Sequence, residues 1–215
     1  MSALNLISKV RGNLSSSDLY DKMVDVYIKK GYSFESTPNI FGIRSSVKDQ
    51  KADAFDDVIG LAYVDSKGNC KVKLWQATTD PGVNELLNPT FEAAQKSGTA
   101  ILVPGQYERS HWLNYHGKGN WKHEALRQKG TVKIYRDNNR DTILDFEAPT
   151  SGLFGINIHA SSLIRELDQI KNYSAGCQVF KNPNHYFAFI DLLKNNTPNV
   201  NKHLFSYTLF EESDF

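Results

Sequence analysis

Hydrophobic and polar positions along the chain fall into a helical period first and a strand period afterwards. Leu19, Met23, Val26 and Tyr27 recur at three- and four-residue steps, so 17–30 reads as an amphipathic helix. Ser17 is placed to cap it, Asp18 suits its first turn, Lys29 and Lys30 its last, and Gly31 its left-handed exit. A polar segment, 45–53, then marks a soft boundary between an N-terminal helical part (1–50) packed on the body and a larger body (51–215). The period turns to two in 58–64 and 71–75, which flank Asp65-Ser-Lys-Gly-Asn69 as a hairpin. Further strands are expected at 99–103, ending on Pro104-Gly105, at 131–135, which runs into the polar loop 136–141, and at 204–210. In 154–159, Phe154, Ile156 and Ile158 point one way and Asn157 and His159 the other. Asn182 followed by Pro183 opens a second helix, 182–193. The body is mainly β, with no internal repeat and no low-complexity tract.

Composition narrows the function classes. The 215 residues carry a formal net charge of +1, and the 25 basic residues are scattered without a clustered stripe, which argues against a nucleic-acid partner. The N-terminus has neither the apolar core nor the cleavage pattern of a signal peptide, and no stretch reaches membrane-span length, so no membrane anchor is expected. The expectation is synthesis in the cytoplasm. Two cysteines, Cys70 and Cys177, are too few for a disulfide framework or a structural zinc site, although one bridge between them is open from sequence.

Cys177 follows Ser174, Ala175 and Gly176, small residues that let a ligand reach the main chain, and stands eighteen positions after His159. A thiol with an imidazole to take its proton is the minimum machinery for covalent acyl transfer, and its tetrahedral intermediate needs backbone N–H donors. The plainer alternative is an inert buried thiol beside a core histidine. His111, His116 and His123 invite a zinc reading, but they lack the HExxH spacing, and neither a metal nor a cofactor is expected; His116 could instead line the substrate cleft. His185 and His203 follow the cysteine, the order of other cysteine peptidases, but carry no motif. Asp137 to Asp145 imitates part of a calcium loop yet lacks its glycine and final glutamate, which favours a plain polar turn.

His159, fourteen intervening residues and then Ser174-Ala175-Gly176-Cys177, preceded by Gly155-Ile-Asn-Ile158, resembles the signature of the L,D-transpeptidase catalytic domain. That family reads His, a spacer, Ser or Thr, His, Gly, Cys. The clear similarity covers roughly 150–195, including the helix after the cysteine; 77–82 and 98–105 match the family's early strands only loosely. The resemblance implies an L,D-transpeptidase-like β-sandwich acting on peptidoglycan stem peptides. In it Cys177 is acylated, His159 is the base, the Ala160 carbonyl orients the imidazole, and the N–H groups of Gly176 and Cys177 bind the oxyanion. Ser174, Asn157 and His116 are the expected substrate contacts. Two positions depart from the family: Ala175 stands where it has a histidine, and Val179 where it has Arg or Asn, which favours hydrolysis over cross-linking. A wall enzyme without a signal peptide fits a phage lysis enzyme (an endolysin) or a virion component, acting at the cell wall after release. The rival is a wall-binding or structural phage protein that keeps the fold without turnover.

Overall fold

A computed structural model describes residues 2–46 and 52–215; part of the soft boundary at 45–53, with the division at 50/51, lies outside the described residues. Two helices open the chain, α1 (Ala3–Arg11) and α2 (Ser16–Lys29). The cap of α2 is Ser15, not Ser17. Ser15 Oγ accepts the Asp18 N–H at 3.2 Å and Asp18 Oδ2 accepts the Ser15 N–H at 3.3 Å. Asp18 stands three residues after Ser15, so only this serine can form the reciprocal box. Gly31 takes the left-handed conformation expected of it, with φ +71°. Helix α1 had no counterpart in the sequence reading.

The body is mainly β. Eight strands form a closed barrel: β1 (Asn39–Arg44), β2 (Asp57–Val64), β3 (Cys70–Thr78), β5 (Gly105–His116), β6 (His123–Gln128), β9 (Ile158–Ala160), β10 (Gln178–Phe180) and β11 (Leu204–Glu211). The circuit runs β1-β11-β5-β6-β9-β10-β3-β2, with β1–β11 and β9–β10 parallel and the other pairs antiparallel. Strands β4 (Thr99–Leu102), β7 (Val132–Asp137) and β8 (Thr150–Gly152) make a separate three-stranded sheet in the order β4-β7-β8. Short helices α3 (Val83–Leu87) and α4 (Glu92–Ser97) lead into it, and α5 (Pro183–Asn196) follows β10.

Strand β2 is apolar almost throughout because both of its faces are covered. Ile59 and Leu61 join the main core with Trp75, Phe180, Phe189 and Tyr207. Val58 and Ala62 face the other way, into a second cluster with Leu19, Met23, Tyr27, Phe41 and Phe210, which packs α1 and α2 onto the barrel. Gly60 pairs with Phe41, whose ring would lie 2.2 Å from a Cβ at that position. The close approach is open only to glycine.

The circuit is thinnest where the sequence motif falls. A single pair, Leu126–Ile158, joins β6 to β9, and two pairs join β10 to β3. Strands β9 and β10 have three residues each. The strand expected over 154–159 is thus confined to its end, because Gly155 has φ +76° and interrupts the extended run. Between Ala160 and Gln178 the chain has no helix or strand and loops back to begin β10 beside β9.

Candidate functional site

The register of β9 and β10 brings Cys177 and His159 to the same side of the barrel wall. Val179 pairs with His159 and Phe180 with Ala160. Ile158, Ala160 and Phe180 belong to the barrel core, so His159 and Val179 face outward. Cys177 lies two residues before Val179 and joins it in a small apolar cluster with Phe55 and Ile170. Ideal strand spacings put the His159 and Cys177 Cα atoms about 8 Å apart, close enough for their side chains to share one space. They do share it: both line a pocket of about 320 Å³ on the outer wall of the barrel. Its other walls are Phe91, His116, Trp121, Asn172, Tyr173 and Ala175.

His159 is 4% exposed, and its Nδ1 lies 2.9 Å from the Ala160 carbonyl, the contact implied by the resemblance. A carbonyl only accepts, so Nδ1 carries the proton and Nε2 keeps its lone pair. The ring of His116, at the end of β5, stacks on that of His159 with centroids 4.5 Å apart and planes 20° from parallel. Burial first, and then the neighbouring His116, push His159 down to about 3; burial pushes His116 to about 4. Both imidazoles are therefore neutral at pH 7.

Cys177 is half-buried; its Sγ lies 3.4 Å from the Gly155 carbonyl and 3.5 Å from the Asn157 N–H. Burial pushes the thiol up to about 11, Glu85 adds to the rise, and the Asn157 N–H opposes it. At rest the pocket therefore holds a neutral thiol and a neutral imidazole, not an ion pair. An expected result follows. Alkylation of Cys177 by iodoacetamide should rise about tenfold per pH unit from pH 6 to 10, with no shoulder at 6–7. Peptide mapping of the modified cysteine reads this directly, and a plateau beginning near neutrality would refute the neutral pair.

Three of the expected contacts hold the framework instead. Ser174 is 1% exposed; its Oγ lies 2.9 Å from the Asp80 carbonyl and 2.8 Å from that of Cys177, and it accepts the Gly176 N–H at 3.2 Å. Gly176 N–H is consequently engaged inside the turn rather than offered to an oxyanion. Asn157 is 8% exposed, not presented to solvent, and its Oδ1 accepts the Gln128 N–H at 3.0 Å, tying β9 to β6 where the ladder is thin. A buried polar side chain needs such a partner, and the backbone beside it supplies one. Gly176 itself has φ +109°, and a Cβ there would meet the Ala100 carbonyl oxygen at 2.3 Å. His116 does line the pocket. Phe91, Trp121 and Tyr173 were missed by the sequence reading; they lie on three separate connections and share no spacing.

The other histidines separate from the site or fail to converge. His111 is buried, with Nε2 2.9 Å from the Ile156 carbonyl and Nδ1 2.8 Å from Ser110 Oγ. His123 meets His116 edge-on at 5.6 Å, and its Nδ1 lies 2.8 Å from the Trp121 carbonyl. Stacked and edge-on rings present faces to one another instead of aiming lone pairs at a common point. Among the described residues no group of three or more His, Cys, Asp or Glu is placed to hold a metal ion. The Asp137–Asp145 segment closes on itself, with Asp137 Oδ2 accepting the Asp145 N–H at 3.0 Å and Asn139 Oδ1 the Asp141 N–H at 3.1 Å. Cys70 and Cys177 are both free. No helix among the described residues is long and apolar enough to cross a membrane. In comparisons with known proteins, the chain matches no family model, no curated protein and no solved structure.

Proposed function

We propose that the chain is a cysteine-dependent acyl-transfer enzyme of the L,D-transpeptidase type that hydrolyses bonds in peptidoglycan stem peptides. The observation that carries this reading is the shared pocket of Cys177 and His159, with the imidazole fixed by Ala160 so that Nε2 is the free base. On this reading Sγ attacks the peptide carbonyl while Nε2 takes the thiol proton. The proton passes to the departing amine as the C–N bond breaks, and water then cleaves the thioester. Because the resting pair is neutral, proton transfer accompanies attack instead of preceding it. With Gly176 N–H engaged by Ser174, oxyanion binding falls to the Cys177 N–H. The finer fold assignment, a transpeptidase-like sandwich, belongs to the same proposal: the barrel is joined by one residue pair at β6–β9 and two at β10–β3, the two seams at which sheets would part.

Incubation with purified peptidoglycan, followed by mass analysis of the soluble fragments, tests the proposal. Stem-peptide fragments carrying one added water support it. The competing reading is a wall-binding protein without turnover, favoured by the high thiol and low imidazole values. Retention on peptidoglycan with no fragments released would select that reading.

A further inference from the structure

We infer that the pocket over Cys177 selects an uncharged acyl group, a residue whose side chain and following carboxyl are neutral as amides, and rejects one that brings a free carboxylate to the thiol. The inference rests on the reading of Cys177 as the acyl acceptor and adds to it the substrate class. It places the scissile bond inside a peptide, not at a free carboxyl end.

The pocket's composition carries the argument. Among the described residues that line it there is no Lys, Arg, Asp or Glu. Its mouth is aromatic: Phe91 is 62% exposed and Tyr173 41%, and the Tyr173 ring lies 6.2 Å from that of Trp121. Large apolar side chains held open to solvent around a concave floor suit an apolar or amide surface laid across them. The polar side-chain groups on its walls besides the thiol are the Asn172 amide, two imidazoles, the Tyr173 hydroxyl and the Trp121 indole N–H, which bond amides and carbonyls but give a carboxylate no countercharge. A carboxylate entering would lose water without gaining an opposite charge, the arrangement proteins avoid.

The surrounding field has the same sign of preference. Glu85, buried on α3 and accepting the Thr90 N–H at 2.9 Å, adds to the upward push on the Cys177 thiol, the sign that disfavours an anion there. The cations nearby are on the solvent side. Arg127 and Lys171 are exposed, and the Lys122 ammonium lies over the Tyr115 ring at 4.6 Å. Water and salt screen charges so placed.

Two reagents of nearly equal size read the preference without requiring turnover. Iodoacetamide and iodoacetate each form an S–C bond to Cys177 with loss of iodide, the thiol proton going to solvent. The ratio of their rates in the folded protein is compared with the ratio for a short peptide of sequence Ser174–Val179 and for Cys70 in the same molecule. We expect the amide-to-acid ratio at Cys177 to exceed both references about tenfold or more. Asn172→Lys, which puts a cation on the pocket wall, should bring it back toward them. A ratio equal to the references, or one unmoved by Asn172→Lys, overturns the inference.

A second arm uses paired stem-type peptides, alike except for an amide or a free acid after the scissile bond, with acyl-Cys177 read by intact mass. In the step the Sγ–C bond forms, the C–N bond breaks and the thiol proton leaves on the amine. Faster acylation by the amide supports the inference. Equal or faster acylation by the acid overturns it and leaves the proposed hydrolase standing. If neither peptide acylates while the alkylation ratio stays high, the hydrolase reading falls and the pocket's preference for neutral groups stands.

Discussion

Cys177→Ala is expected to abolish release of stem-peptide fragments while lowering stability by only about 1 kcal/mol. The two effects separate because the sulfur's roles in chemistry and in packing are so unequal. In packing it contributes long contacts with the Gly155 carbonyl and the Asn157 N–H, at 3.4 and 3.5 Å, on the edge of a small apolar cluster. Alanine keeps the β-carbon and removes one half-buried atom. In the chemistry no other thiol, and no Ser, Thr or Lys, lines the pocket among the described residues: the remaining walls are aromatic rings, one with a phenol, imidazoles, an amide and a methyl group. Fragment release and the thermal midpoint, measured on the same preparation, decide the matter. A folded variant that still cleaves the wall would remove the covalent mechanism entirely. His159→Gln should fall by a smaller but large factor, about a hundredfold to ten-thousandfold, since it removes the base and leaves the sulfur.

The legible elements were those whose own residues fix them. Helix α5 begins where Asn182 and Pro183 require, with Asn182 Oδ1 accepting the N–H groups of Asn184 at 2.8 Å and His185 at 3.4 Å. The β2–β3 hairpin was plain for a similar reason: Asp65 Oδ1 accepts the N–H groups of Lys67 and Asn69, both at 2.9 Å, and closes the turn locally. Strands β5 and β6 went unread because their stretch is rich in His, Trp and Asn and shows no clean alternation. Their partners, β11 and one another, supply the order that the local pattern lacks. Strand β10 has three residues and exists only through its pairing with β9 and β3.

The site divides along the same line. The pairing of His159 with the Ala160 carbonyl is a contact between neighbours in the chain, and the motif resemblance pointed to it. Ser174 and Asn157 looked like substrate contacts because a polar residue beside a nucleophile has two possible employments, and sequence does not distinguish them. Tertiary surroundings do: Ser174 closes the turn that carries Cys177, and Asn157 holds β9 to β6. The aromatic mouth was invisible because Phe91, Trp121 and Tyr173 come together only after the loop that follows Ala160 has folded back.

Gly176→Ala should be strongly damaging for so small a change, lowering stability by about 3–5 kcal/mol and the melting temperature by about 10 °C or more. Two costs add. The backbone at 176 has φ +109°, a region that residues with a Cβ rarely occupy. The new methyl group would also lie 2.3 Å from the Ala100 carbonyl oxygen, with the carbonyl carbon at 3.1 Å. That oxygen belongs to β4, where Ala100 pairs with Arg136 of β7, so it cannot simply turn aside. The turn must shift, and it carries Cys177 on one side while Ser174 Oγ and the Asp80 carbonyl hold the other. The shift therefore reaches the site: alkylation of Cys177 should lose its amide-over-acid preference together with the stability, even at temperatures where the variant is still folded. Ser174→Ala is the comparison, since it removes the turn's hydrogen bonds without forbidding its backbone, and it should cost about 1–3 kcal/mol. If Gly176→Ala proves no worse than Ser174→Ala by thermal and denaturant unfolding, the close approach of the cysteine turn to β4 is not what fixes the thiol in place.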